Sequence, residues 1–444
     1  MGQTSLSQFI CRIFGIEEKQ LKPAALASLY IFCILAGYYV LKPLREEIGL
    51  LVGKEHVTKL FLGTMLVMLV ANPIFSFLMN RFNRVLFIKL VYRFFALNIL
   101  AFIAVFKYLE ATGQMPEGGE ATQVTGLAFG IGVVFFLWVS VYYLFCGSLF
   151  WALMADLYDS RQSKKIFGLV GAGGTLGGIA GSGLTKFLVD AIGPTNLLFV
   201  TMVLLEVAVY AMIGMTRNYS EPVRKTGEKK PNAFSGVGDI AKSPYLIGIC
   251  FYLFLYTFTS SFIYFQQQYI VDAAFSDRES RVDYYATIGL VVNSLTLIIQ
   301  LFFTGRLLPL VGVSAGLSLV PIVTAFGFLA LGYESSVTAL AIVDICRRTA
   351  NYAITRPSRE ILFTVVSRQE KYLSKSFIDT FVYRAGDAIA SGAFEGLTAF
   401  TTNLQTVSLI AMPVALTYLV VAWLLGKAQA RKASDQESLS AAQS

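Results

Sequence analysis

Apolar runs of about twenty residues recur along the whole chain, interrupted by short clusters of charged residues, glycine and proline. A helix needs roughly 20 predominantly apolar residues to cross about 30 Å of hydrocarbon. On that measure about twelve spans are predicted. They fall near 22–44, 57–79, 85–108, 123–153, 165–189 and 195–216, then near 244–270, 284–306, 310–333, 336–364, 375–400 and 404–426. The longest polar stretch, Arg217 to Lys242, divides them six and six. The expected fold is an all-α membrane protein of about twelve transmembrane helices in two six-helix halves. Its predicted parts are an N-terminal bundle (1–216), a basic cytoplasmic linker (217–243), a C-terminal bundle (244–427) and a cytoplasmic tail (428–444).

The loops supply a separate test, because cytoplasmic loops collect Lys and Arg. Alternate loops carry Arg81, Arg84 and Lys89; Arg161, Lys164 and Lys165; Arg306; and Arg368, Lys371 and Lys375. Both ends join that set through Arg12, Lys19 and Lys22 and through Lys427, Arg431 and Lys432. The intervening loops are acidic, with Glu110, Glu117 and Glu120 in one and Asp272, Asp277 and Asp283 in another. Both termini are therefore expected in the cytoplasm, with a bacterial inner membrane as the location. The first residues hold Glu17 and Glu18 and no small-residue cleavage site, so they read as an amphipathic lead-in, not a cleaved signal.

Composition agrees with the pattern. Of 444 residues 55% are hydrophobic and 14% charged, with a mean hydropathy of +0.63, against about 25% charged in soluble proteins. The net charge of +8 lies mostly between apolar runs, which favours orientation against an anionic leaflet over nucleic-acid binding. His56 is the only histidine and the five cysteines are scattered, so a zinc site, a disulfide framework and histidine-based catalysis are not expected. Neither enzyme activity nor a cofactor or metal is expected. No GxxxxGK[ST] segment occurs, so transport would run on a gradient or on exchange. The glycines from Gly171 to Gly178 approach a dinucleotide-binding spacing but lack the strand that motif requires. Gly173, Gly177 and Gly181 instead recur every fourth residue, which predicts close packing against another helix.

Charges within the predicted tenth and eleventh spans carry the functional expectation. Asp344, Arg347, Arg348, Arg356, Arg359, Glu360, Asp379, Arg384, Asp387 and Glu395 stand there. An Arg at a helix centre costs about 2.5–3.5 kcal/mol on insertion scales, so these groups line a wet cavity or pair with one another. An unbroken helix puts Asp344, Arg348, Asn351, Thr355 and Arg359 on one face, and Asp379, Tyr383 and Asp387 on another. Pro357 predicts a kink or break near Arg356. The excess of Arg points to an anionic substrate, gripped bidentately through phosphate or carboxylate. Internal salt bridges that gate the protein are the competing reading, with Asp379 and Arg384 as the expected pair. In the first span Lys42 and Arg45 form either an interfacial anchor or a cationic wall. Tyr142 and Tyr143 in the fourth span, and Tyr256 and Gln267 in the seventh, are candidate substrate contacts, with core or lipid packing as the alternative. Glu206 and Arg93 are expected to pair, although Glu206 could instead carry a coupling proton.

Two resemblances follow from these residues. Two six-helix halves joined by a basic loop, with NRFNR (80–84) after the second span, resemble the major facilitator superfamily. The segments NYAITRPSRE (351–360), KSFID (375–379) and YRAG (383–386) resemble the ATP/ADP antiporters of plastids and intracellular bacteria. FWALMAD (150–156) with KKIFG (164–168), and LKPLRE (41–46), are similar to further segments of that family. The resemblance implies nucleotide contacts at Arg45 and Arg359 and a transport role near Asp156. It also exposes departures: Arg356 stands where that family usually has Asp, Asp387 where it has Lys, and Gln266 near an expected Glu. The expected function is secondary active transport of a nucleotide or related phosphorylated metabolite by alternating access. Substrate binding is assigned to Lys42, Arg45, Tyr142, Tyr143, Tyr256, Gln267, Arg348, Asn351, Arg356 and Arg359. Gating or coupling is assigned to Asp156, Glu206, Gln266, Asp344, Asp379, Arg384 and Asp387. A lipid flippase and a non-transporting sensor are the rival functions. The expected partners are an anionic, phosphorylated small molecule and membrane lipids, with no nucleic acid, and the chain is expected to be a monomer.

Overall fold

The computed structural model describes residues 18–116, 123–158, 160–217, 240, 242–366 and 378–443. The basic linker and the Arg368–Lys375 loop therefore fall almost wholly outside the described residues, as do the side chains of Arg161, Lys164, Lys165 and Arg306.

Among the described residues the chain folds into twelve helices, the all-α multi-pass architecture that the apolar pattern predicts. Six precede the linker: α1 (Glu18–Val52), α2 (Val57–Arg81), α3 (Arg84–Ala111), α4 (Gly126–Leu157), α5 (Ser160–Ile192) and α6 (Leu197–Met215). After it come α7 (Pro244–Ala274), α8 (Arg278–Ile299) and α9 (Gly305–Tyr333). The tenth helix begins as α10 (Val337–Ala350), passes through a π-helical turn (Asn351–Thr355) and resumes over Arg356–Ile361. A second π turn (Ile378–Val382) leads into α11 (Tyr383–Phe400), and α12 (Leu404–Gln443) ends the fold.

Eight of the twelve are long and apolar enough to cross a membrane on their own composition. Among the remainder, α10 and α11 hold the intramembrane charges and α5 the glycine stripe. Such helices cannot face lipid all round and depend on neighbours to cover their polar or small-residue faces. Local signals set several ends. The Asn83 side chain accepts from the Leu86 amide at 3.0 Å to start α3, and Ser336 accepts from the Ala339 amide at 3.2 Å to start α10. A π turn (Gln300–Thr304) carries α8 into α9, and the true corner is Gly312, whose φ of 76° only glycine adopts without strain.

The chain divides into two compact units. One comprises Met1–His56, Leu66–Thr226 and Phe275–Asn293; the other comprises Val57–Met65, Gly227–Ala274 and Ser294–Ser444. Helices α2 and α8 thus each contribute to both.

In the first unit α1 packs along α5, and the glycine stripe makes that possible. A methyl group built at Gly177 would lie 2.9 Å from the Cα of Phe32, and one at Gly181 would lie 2.8 Å from the Cα of Ala36. At Gly173 it would meet the Ser28 carbonyl at 2.6 Å. Two i, i+4 rows therefore mesh backbone to backbone. Beside them the buried Tyr30 and Tyr92 hydroxyls sit 2.6 Å apart, and Tyr92 donates to the Cys146 carbonyl at 3.1 Å. In the second unit the core joins α7, α9, the end of the tenth helix and α12 through Tyr252, Leu317, Leu362 and Tyr418. There Phe61 of α2 packs on Tyr264 and Phe265, and Ser391 donates to the Thr58 carbonyl at 3.2 Å.

Replacing Gly177 by Leu should force α1 and α5 apart. Overpacking of a tight core costs about 1–3 kcal/mol, so the detergent-purified variant is expected to melt several degrees lower. An unchanged melting temperature would contradict the backbone contact.

Candidate functional site

The second unit concentrates cationic and phenolic groups where α10 meets α7 and α11. Asp344 is 3% exposed and accepts from two guanidinium groups, Arg347 and Arg348, each at 3.1 Å. Spacings of three and four residues bring both over one carboxylate. Arg347 is itself buried and reaches across to α7, donating to the Ser260 hydroxyl at 2.7 Å. One turn earlier on α7 lies Tyr256, half-buried, whose hydroxyl accepts from the Asn351 amide at 3.0 Å. Arg347 and Arg359 both lie within electrostatic reach of that phenol. Arg359 donates to the Tyr383 hydroxyl at 2.6 Å and stands 5.9 Å from the centre of that ring. Among the described residues these bonds join three guanidinium groups, one carboxylate and the hydroxyls of Ser260 and Tyr383.

The backbone break puts Arg359 in position. Pro357 lacks an amide hydrogen and its ring clashes with the carbonyl four residues earlier. The helix absorbs this by widening: the Arg356 amide bonds the Asn351 carbonyl, five residues back. The Tyr352 carbonyl then has no backbone donor, since its π-helical partner would be Pro357, and the Gln300 side-chain amide fills the place at 3.2 Å. The added residue also rotates the chain, so the predicted common face is interrupted. Thr355 turns toward α9 and donates to the Gly316 carbonyl at 2.9 Å, while Arg359 reaches α11. Arg356 is exposed.

Other candidates in this unit bond to other groups or lie further along α7. Gln267 is 11 residues beyond Tyr256 on α7, about 16 Å along the axis. Gln266 is fully buried and accepts from Ser408 of α12 at 2.8 Å. Arg384 pairs with Asp387 at 3.7 Å, and Asp387 accepts from Ser261 at 2.9 Å. The expected partner of Arg384, Asp379, has its side chain outside the described residues.

In the first unit Arg45 lies over the Phe136 ring at 4.1 Å, 3.6 Å from Glu46, and is largely covered; Lys42, one turn earlier, is half-buried. Tyr143 is exposed and stacks on Tyr38 at 4.1 Å, whereas Tyr142 is sealed in the aromatic core against Phe95 and Trp138. Asp156, near the end of α4, is half-buried. Glu206 and Arg93 do not pair: Glu206 is half-buried on α6, Arg93 is exposed on α3, and no ion pair joins them. The two charges sit on helices that present them to different surroundings.

Two charged groups of consequence were hidden in the sequence. Arg278, which opens α8, is 1% exposed and binds Glu47 of α1 at 2.8 Å, Glu110 of α3 at 3.3 Å and the Pro116 carbonyl at 2.5 Å. Thr195 donates to Glu110 at 2.5 Å. Glu110 and Arg278 flank polar loops and so read as solvated ends of spans. Nothing in one-dimensional spacing marks them as partners 168 residues apart. Further along α8, Asp283 takes the Lys186 ammonium of α5 at 2.9 Å, and Thr287 takes it at 2.8 Å. Arg347 is the second omission, since helical spacing grouped Arg348 with Asp344 and left its neighbour aside.

Three solved structures share this fold along almost the whole chain. An auto-inhibited POT family peptide transporter aligns with a TM-score of 0.58 at 12% identity, covering 92% of this chain and 96% of its own. A mutant of the nucleoside transporter NupG aligns at 0.59 and 12%, covering 91% and 99%. A bacterial homologue of the human lysosomal transporter Spinster, inward-facing and unoccupied, aligns at 0.51 and 16%, covering 97% and 98%. No protein-family model and no curated protein matches the sequence. The chain therefore has a major facilitator-like fold, and the likeness extends to the fold alone.

Cutting Arg278 to Ala should destabilise the protein by about 3–5 kcal/mol, because two buried carboxylates lose their counter-charge. Thermal unfolding in detergent checks this. A variant as stable as the parent would mean that water already reaches Glu47 and Glu110.

Proposed function

We propose that the protein is a secondary active transporter that moves an anionic, phosphorylated small molecule, of the nucleotide class, by alternating access. The observation carrying this reading is a cluster of guanidinium groups in the second unit: among the described residues Arg347 and Arg348 share the Asp344 carboxylate, and Arg359 is held by the Tyr383 hydroxyl. A surplus of cation inside a membrane protein is costly when empty and favourable when an anion fills it. An anion about 4 Å from one guanidinium gains roughly 4 kcal/mol at an effective dielectric near 20.

The chemistry favours phosphate. Arg348 and Arg359 offer planar donor forks suited to bidentate oxyanions. Tyr256 and Tyr383 add hydroxyl donors and aromatic faces on which a base could stack. Arg45 is the first-unit candidate in this reading, with Lys42 beside it and the accessible Tyr143–Tyr38 stack as a further aromatic surface. Asp344 acts as the internal counter-ion that holds Arg347 and Arg348 apart from one another's charge when substrate is absent. The resemblance of residues 351–386 to ATP/ADP antiporters supports the nucleotide class, and the full-length fold likeness to transport proteins supports the transport mode.

Proteoliposome uptake of labelled nucleotides, sugar phosphates and dicarboxylates tests this directly. Arg359→Ala is expected to lower uptake of the accepted anion at least tenfold without moving the melting temperature, and Arg359→Lys to restore part of it. Undiminished uptake by Arg359→Ala would remove the cluster from the transport path.

A further inference from the structure

Two carboxylates on the helices of the guanidinium cluster are held in opposite ways. Asp344 accepts from Arg347 and Arg348, each at 3.1 Å. A guanidinium only donates and keeps its proton, so both partners favour an ionised Asp344. Asp387 of α11 instead accepts from the Ser261 hydroxyl of α7 at 2.9 Å, while Arg384 stands 3.7 Å from its other oxygen, too far for a hydrogen bond. A serine hydroxyl donates to a carboxylate and accepts from a carboxylic acid. Asp387 therefore keeps a hydrogen bond in either protonation state, and Asp344 does not.

Asp387 also adjoins two anchors of the cluster. It lies one turn beyond Tyr383, the partner of Arg359, on the same face of α11. Its own partner Ser261 follows Ser260, which holds Arg347. Gly386 sets α11 tightly on α7 at this level: a methyl group built there would lie 2.9 Å from the Thr257 Cβ and 3.0 Å from the Phe254 carbonyl. The Asp387 side chain is 15% exposed, so water reaches it.

The elements packed on α11 bring it few charges. Helix α7 has none between Tyr245 and Val271, and α12 has none between Leu404 and Gly426. At the start of α2 the Thr58 carbonyl takes Ser391, and the adjoining Lys59 is exposed. The tenth helix contributes Arg359 through Tyr383. Among the described residues Arg384 is the charged group that acts on Asp387; the Asp379 side chain, on the π turn before α11, lies outside them.

On the basis of the transport reading, we infer that the carrier couples anion movement to protons and that Asp387 takes the proton up. An O–H bond forms at the Asp387 oxygen facing Ser261, and the hydroxyl turns from donor to acceptor. The carboxylate becomes neutral, and Arg384 is left with its full charge to draw the incoming anion. When the anion departs the O–H bond breaks, the proton passes to water on the receiving side, and the carboxylate is restored. Anion and proton thus favour one another's binding, which gives symport. A metal cation suits the place poorly, since hard cations take about six or more oxygens, whereas Asp387 has one hydroxyl and a guanidinium beside it.

The test uses the full chain. Infrared difference spectra of the purified protein between about pH 8 and about pH 5 are expected to show a protonated-carboxyl band that Asp387→Asn lacks. In proteoliposomes at clamped membrane potential, uptake of labelled ADP and of a labelled hexose phosphate is measured with acid outside and with equal pH on both sides. Acid outside should raise parental uptake of the accepted probe roughly fivefold or more. Asp387→Asn should lose that stimulation while still exchanging internal for external probe, and Asp387→Glu should regain part of it. Acid titrates the probes themselves as well, an effect that parent and variant share. An infrared band unchanged in Asp387→Asn, equal acid stimulation of parent and Asp387→Asn, or stimulation by a sodium gradient in place of acid would each overturn the assignment. If the parent moves neither probe, the transport reading falls, and the infrared comparison alone decides whether Asp387 takes a proton.

Discussion

A guanidinium group inside a membrane protein must be given a counter-charge, and the way each one is answered divides this molecule into scaffold and candidate site. Arg278 is answered completely. Two carboxylates, a carbonyl and the Thr195 hydroxyl behind them close the network with 1% of the arginine exposed. A network so satisfied rigidifies what it joins, here α1, α3 and the start of α8 in the first unit. Among the described residues Arg347 and Arg348 share one carboxylate, and neutral hydroxyls hold Arg347 and Arg359. The same residue type thus joins helices in one place and, in the function proposed here, receives an anion in the other.

The receptive arrangement depends on irregular backbone. Among the described residues of the second unit three π-helical turns occur, at Gln300–Thr304, Asn351–Thr355 and Ile378–Val382. Two of them touch through Gln300 and Tyr352, and the other precedes Tyr383, the partner of Arg359. Such turns are rare and gather at functional sites, because the extra residue re-aims side chains and loosens carbonyls. Non-helical backbone is tolerated at membrane depth only where protein or water covers it. Here Gln300 provides that cover, so Pro357 can break the helix without leaving an unsatisfied carbonyl. A helix continuous from Asp344 to Arg359 would keep both on one face; past the widened turn Arg359 instead reaches α11, while Asp344 holds Arg347 and Arg348.

The number of helices was legible because the bilayer imposes a length on each apolar run, and that length shows in one dimension. The stripe Gly173, Gly177, Gly181 was legible too, since four-residue spacing carries directly into a helix face. Pro357 announced its own break. What stayed hidden were contacts between elements. Glu110 and Arg278 sit beside polar loops, and only the folded chain brings them together. Tyr142 and Tyr143 are adjacent and chemically alike, yet one is sealed among Phe95 and Trp138 while the other stacks on Tyr38 at the surface. Arg93 and Glu206 are each lone charges in apolar runs, which invites pairing, but helix rotation presents Arg93 outward. Periodicity fixes a residue's angle on its own helix; the neighbour at that angle is a matter of packing.

The pairing of Arg359 with Tyr383 and not with a carboxylate has a consequence for the proposed transport cycle. A phenol hydroxyl orients the guanidinium while leaving its full charge available to an incoming oxyanion, whereas a carboxylate would neutralise it in advance. Asp344 works in the opposite sense, moderating Arg347 and Arg348. A carrier must bind its substrate firmly enough to collect it and loosely enough to release it, so a site of three uncompensated cations would trap a polyphosphate. One carboxylate shared by two arginines, beside a third held only by a hydroxyl, is a compromise between those demands. It leaves a net attraction while supplying an internal rival for the same donors, one that re-forms its bonds as the anion departs.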